Sequence, residues 1–220
     1  MGSAALMVLV SGCASVSVRE VKFPNHPKPP PKPERIFVVD FHAPPETFRV
    51  DRSGEDLEEF REELAGRLSR ELVSRLNKHV MMAQRVPPDM VKPGRRALLV
   101  TGEIVRVNQG SRALRMTLGL GAGGTKLETR VVVHDLSGPE PVPILSFETT
   151  GGSNATPGAV FNLSYWAAGA AAVGQAISGL SFDTVRTSRE ITAMLSEYMA
   201  QQGWIAPEDS LRPKKLGEWP

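Results

Sequence analysis

Hydrophobic and polar positions divide this chain into segments of different period. Residues 36–41, Ile-Phe-Val-Val-Asp-Phe, form a compact β-prone run that is closed by Pro44 and Pro45, and such a run predicts a buried strand. Ser53 and Asp56 then resemble a capping pair at a helix start. Leu57, Phe60, Leu64, Leu68, Leu72 and Leu76 recur three and four residues apart, with Glu58, Glu59, Arg61, Glu62, Arg67 and Arg70 between them. This spacing predicts an amphipathic helix of about six turns. Its apolar stripe is expected to pack on the domain's own sheet, with a coiled-coil face as the alternative.

After a loop marked by Pro87, Pro88, Pro93 and Gly94, residues 97–108 read as a long strand. Gly102 in its middle suggests a bulge or a close backbone approach. Residues 112–118 read as a less regular strand and residues 126–136 as a clear one, with Leu127, Thr129, Val131 and Val133 on one side. Residues 142–149 give a further strand. Gly-rich turns between these pieces favour an antiparallel meander. Residues 183–202 return to the helical period through Val185, Ile191, Met194, Leu195 and Tyr198, and Gly203 and Trp204 end the helix. The tail after Pro207 is polar and expected to be mobile. The predicted fold is α+β: a mixed or mainly antiparallel sheet of about five strands, with helices packed on one face, as a single domain over residues 36–205.

The ends of the chain follow other rules. Residues 4–10 form an apolar run too short to span a bilayer, which needs roughly 20 apolar residues, and they suit the core of a signal peptide over residues 1–12. Val10-Ser11-Gly12-Cys13 comes next, and it resembles the bacterial lipobox. The resemblance implies cleavage before Cys13, lipid on its thiol and, with Ala14 and Ser15 following rather than Asp, an outer-membrane location facing the periplasm. No Lys or Arg precedes the apolar run, a departure from the usual positive start. The competing reading is a buried amino-terminal strand with a core cysteine. Prolines 24, 27, 29, 30, 31 and 33 predict an extended spacer over residues 13–35 that lifts the domain off the membrane, with a Pro-rich ligand segment as the rival reading.

Composition narrows the classes. There are 26 basic and 24 acidic residues, for a net charge of +2, so nothing electrostatic favours nucleic acid. Cys13 is the single cysteine, which excludes an intramolecular disulfide and a cysteine-based metal site. His26, His42, His79 and His134 share no metal-ligand spacing, so no metal and no cofactor are expected. Gly119-x-Gly121-x-x-Gly124 matches the dinucleotide fingerprint in letters only, because a strand and not a helix is expected after it. Residues 159–180 carry no charge and are rich in Gly and Ala. A buried or oligomer-forming helix is expected there, with membrane contact as the alternative.

Several stretches together resemble the domain of unknown function family numbered 4410, found in bacterial lipoproteins. They are residues 36–41, Val100-Thr101-Gly102-Glu103-Ile104, Gly110-Ser111-Arg112-Ala113-Leu114-Arg115 running into Gly119-Leu120-Gly121-Ala122-Gly123, and the closing Gln202-Gly203-Trp204-Ile205. The resemblance would cover about residues 35–205 and implies no catalytic residues. The order of elements is also similar to the α+β domains of envelope lipoproteins.

The functional expectation is therefore a lipid-anchored envelope protein, non-catalytic, that binds or assembles protein partners, held to the membrane at Cys13 and open to self-association. Arg112 and Arg115 are the candidate cluster facing a ligand or partner; two arginines on a solvated strand face are the alternative. An oligomeric or membrane-inserting part of an envelope transport machine is the second expectation. A hydrolase is the third, and it requires Asp40, His42 or His134 to gather around Ser153.

Overall fold

A computed structural model describes residues 15–24, 29–108, 126–152 and 174–215. Seven strands form one sheet: β1 (Ser15–Lys22), β2 (Arg35–Val38), β3 (Phe48–Arg49), β4 (Ala83–Arg85), β5 (Ala97–Asn108), β6 (Lys126–Asp135) and β7 (Val142–Gly152). The helices are α1 (Gly54–His79) and α2 (Gly174–Gln201). The strand order is β1-β7-β6-β5-β2-β4, with the short β3 also paired to β5. The sheet is mixed. β1, β7, β6 and β5 are antiparallel each to the next, whereas β2 is parallel to both β5 and β4, and β3 is parallel to β5. The α+β class and the mixed sheet are as the hydrophobic pattern predicts.

Both long helices pack on one face. From α1, Phe60, Leu64, Leu68, Leu72 and Leu76 are buried in one cluster with Ile36 and Val38 of β2, Ile104 of β5, Leu127 and Val131 of β6, and Ile191 and Leu195 of α2. The leucine stripe therefore seals the domain's own sheet. Each fully buried leucine contributes about 1.5–3 kcal/mol of transfer free energy. The charged face of α1 stays in solvent, where Arg61–Glu58 and Arg67–Glu63 pair one turn apart. Alternation in β6 puts Leu127, Thr129, Val131 and Val133 inside. The Thr129 and Thr149 hydroxyls bond to each other across β6 and β7 at 2.7 Å. A smaller cluster of Phe37, Ala97, Leu99 and Leu136 lies apart from this core, with Val39, Val86 and Val91 packed against it.

Three expectations are corrected. The first part of the predicted spacer is a strand: β1 pairs antiparallel with β7 from Ser15↔Gly152 to Lys22↔Ser146 and buries Val16 and Val18. Proline enters only at position 24, so residues 15–22 keep their amide donors and can join a sheet edge. The tail is docked through Lys215. Val18 N donates to Lys214 O at 2.7 Å, Lys214 N to Glu190 Oε2 at 2.7 Å, and Leu211 N to Ser196 Oγ at 2.9 Å. Finally, Ser53 stands at the N-cap of α1 in extended backbone but makes no side-chain cap bond. Asp56 pairs with Arg52 instead, at 2.8 Å.

Among the described residues the sheet has seven strands: four of those expected, β1 at one edge, and the two- and three-residue β3 and β4, which are too short to show a period. The predicted strand at 112–118 lies outside the described residues, as do residues 159–173. Four strand ends meet at one end of the sheet: Asn108 pairs with Lys126, Lys126 with Gly152, and Gly152 with Ser15.

Candidate functional site

Parallel strands β2 and β4 end side by side, in register from Ile36↔Ala83 to Val38↔Arg85. α1 connects them in sequence and packs beside their carboxyl ends. A cleft of about 780 Å³ opens there, lined by Asp40, His42, Arg61, Gly66, Arg70 and Arg85 among others. In open sheets with parallel strands, the carboxyl edge is where ligands gather, because the chain diverges there and leaves a crevice.

The side chains follow from local structure. Asp40 is the second residue past β2, and Arg85 is the last residue of β4. Arg85 Nε donates to Asp40 Oδ1 at 2.6 Å, and its Nη2 donates to Oδ2. This two-pronged bond matches the planar guanidinium to the carboxylate. It holds the Asp40 carboxyl below its usual range and outweighs the opposing effect of burial; the Ser69 hydroxyl and the Arg85 and Arg70 charges add to the lowering. Arg85 is raised in turn by the same bond.

Gly66 makes room for the tips of two arginines. A β-carbon there would stand 3.1 Å from Arg70 Nη1 and 3.5 Å from Arg85 Nη2. Arg61 is committed elsewhere, donating from Nε to Ala43 O at 2.6 Å and pairing with Glu58. On the sheet side the cleft floor is closed by Phe41, whose ring covers Gly102 of β5. His42 is exposed and bridges to β5 through its backbone: its N donates to Gly102 O at 2.8 Å, and Ile104 N donates to its O at 2.7 Å.

Of the residues read from the sequence, Asp40 and His42 share this cleft. His134 does not line it. It sits on β6 opposite Leu99 and Pro143, where burial pushes its pKa below the ordinary 6.5 against a weaker opposing hydrogen bond with the Leu99 backbone. Ser153 lies outside the described residues, as do Cys13, Arg112, Arg115 and the glycines from 119 to 124. β6 follows that glycine segment directly as a strand, so the helix required by a dinucleotide fingerprint does not come next. Among the described residues no group of His, Cys, Asp and Glu could hold a metal ion. Sequence reading missed Arg70, Arg85 and Gly66. Arg70 belongs to the ordinary charged face of α1, and β4 has too few residues to announce that Arg85 ends a strand.

A second charged feature crosses another part of the sheet. Arg19, Glu148, Arg130 and Glu103 stand in direct register across β1, β7, β6 and β5. Their contacts run 2.8 Å, 3.0 Å and 3.5 Å along the row. Glu148, held by both arginines, is only 8% exposed.

The model of the family described as Domain of unknown function (DUF4410) matches residues 36–170. The chain belongs to this family. No curated protein matches it. Among solved structures it is similar to the PelC dodecamer from Paraburkholderia phytofirmans, at 10% identity and TM-score 0.36, covering 79% of this chain and 97% of that one. It is also similar to a putative neuraminyllactose-binding hemagglutinin homolog from Helicobacter pylori, at 13% identity and TM-score 0.42, covering 83% and 94%. Likenesses this distant carry no functional argument for a DUF4410 domain.

Proposed function

We propose that this DUF4410 protein is a lipid-anchored cell-envelope lipoprotein, held at Cys13 to the periplasmic face of the outer membrane, whose domain binds or assembles protein partners and catalyses nothing. The observation that carries the reading is Val10-Ser11-Gly12-Cys13 after a short apolar run, with the thiol as the only cysteine of the chain. Acyl chains on one thiol-bearing residue hold a protein stably, since each buried methylene contributes about 0.8 kcal/mol and several chains add together.

The position of β1 gives this reading a definite geometry. Cys13 precedes Ser15 by two residues, and a chain spans at most about 3.6 Å per residue. The lipid would therefore lie within about 7 Å of the sheet end where β1, β7, β6 and β5 meet. On this reading the domain rides close to the membrane instead of standing off on a long spacer. The non-catalytic part rests on the state of Asp40, just past β2, which Arg85 binds through both carboxylate oxygens.

The test is incorporation of labelled palmitate in a bacterial host. Label on the native chain and none on Cys13→Ala is the expected result. A native chain that stays unlabelled and fractionates without membrane would end the lipoprotein reading.

A further inference from the structure

We infer that the cleft at the carboxyl ends of β2 and β4 is a binding site for an oxyanion, a phosphate or carboxylate group, with Arg70 as its principal ligand-binding residue and Arg85 as its second donor. The inference stands independently of lipid anchoring at Cys13.

Three observations carry it. First, Arg70 is exposed toward the cleft and has no carboxylate within ion-pair distance among the described residues, though its charge acts on Asp40. Its donors are therefore unspent, unlike those of Arg61, which are bound to Ala43 O and Glu58. Second, Asp40 engages Arg85 through Nε and one N–H of Nη2, which orients the guanidinium and leaves the second N–H of Nη2 and both of Nη1 over. A guanidinium fixed by a carboxylate is preorganised, so less freedom is lost when it binds a ligand. Third, Gly66 brings both arginine tips to one place, 3.1 Å and 3.5 Å from the point a β-carbon would occupy. One oxyanion spans such a pair, since charge-assisted N–H···O bonds run about 2.7–2.9 Å and two oxygens can each take a donor.

Among the lining arginines, Arg61 is paired with Glu58 and Arg85 with Asp40, so Arg70 is the one a ligand would pair with. The chemistry of Arg70 and Arg85 is shared by free phosphate, lipid phosphate and carboxylate, and the experiment separates these sources.

The test uses the full-length Cys13→Ala chain and titrates inorganic phosphate and acetate by calorimetry at constant ionic strength against chloride. A parallel arm measures co-sedimentation with vesicles of phosphatidylglycerol in phosphatidylcholine. Saturable binding of at least one probe is expected, weakened tenfold or more by Arg70→Gln and unchanged by Arg67→Gln on the same helix. Arg70→Lys should recover part of the loss. Because Arg70 is exposed, Arg70→Gln should melt with the parent, which a second measurement checks. Binding of vesicles but of neither small anion would assign the lipid source. Absence of binding in every arm, or equal weakening by Arg67→Gln and Arg70→Gln, would overturn the inference.

Discussion

The ring of Phe41 lies on the α-carbon of Gly102, so close that a β-carbon at position 102 would meet Phe41 Cε1 at 2.2 Å. Phe41 belongs to the segment that leaves β2, and Gly102 belongs to the middle of β5. The contact joins the floor of the cleft to the sheet. Gly102 serves close approach, and the register irregularity of β5 falls further on, between Ile104 and Arg106. Gly102→Ala must push back a ring that is itself 2% exposed. Overpacking of this kind costs about 1–3 kcal/mol. Urea denaturation should show a lowered midpoint at unchanged slope; a midpoint equal to that of the parent would contradict the contact.

Glu148 and Glu103 bracket Arg130 but should differ in consequence. Glu148 is nearly buried and held by two arginines, whereas the Glu103 side chain is 39% exposed and 3.5 Å from Arg130. Removing the carboxylate charge at position 148 weakens the bonds that a nearly buried carboxylate makes to two arginines, a loss of about 1–3 kcal/mol. An exposed pair is worth about 0–1 kcal/mol. Glu148→Gln should therefore lower thermal stability clearly and Glu103→Gln barely, as read by calorimetric melting of the two variants side by side.

His134 predicts a pH dependence with a definite sign. Burial lowers its pKa in the folded chain below the ordinary 6.5. The unfolded chain then binds more protons just below that pH, so stability rises with pH across this window. The contribution is complete above about 6.5 and is lost as pH falls through 6.5 toward the folded value. Denaturation midpoints at pH 7.5 and 5.5 should differ more for the parent than for His134→Gln. Equal differences would show that His134 does not carry the effect.

The docked tail predicts a cost for truncation. Ending the chain after Ala206 removes Lys214 N from Glu190, a residue 2% exposed, and Leu211 N from Ser196, which is fully buried. Leaving buried polar groups short of partners costs about 1–3 kcal/mol each. The shortened chain should melt well below the full chain, and amides of β1 should exchange faster because Val18 N loses Lys214 O.

Much of this protein was legible before folding. The three- and four-residue spacing from Leu57 to Leu76 determined α1, and strict alternation determined the inward face of β6, because periods of 3.6 and 2 are local properties that need no partner. Other features exist only between segments distant in the chain. Residues 15–22 become a strand because β7 offers an edge for their free amides. The polar tail is held because α2 presents Glu190 and Ser196 to it. The cleft exists because parallel pairing sets Arg85 beside Asp40, 45 residues apart, and because Gly66 admits the tip of Arg70 next to Arg85. Periodicity carries information about which side of an element is buried. The meeting of two particular side chains depends on register and crossover, which tertiary packing alone decides.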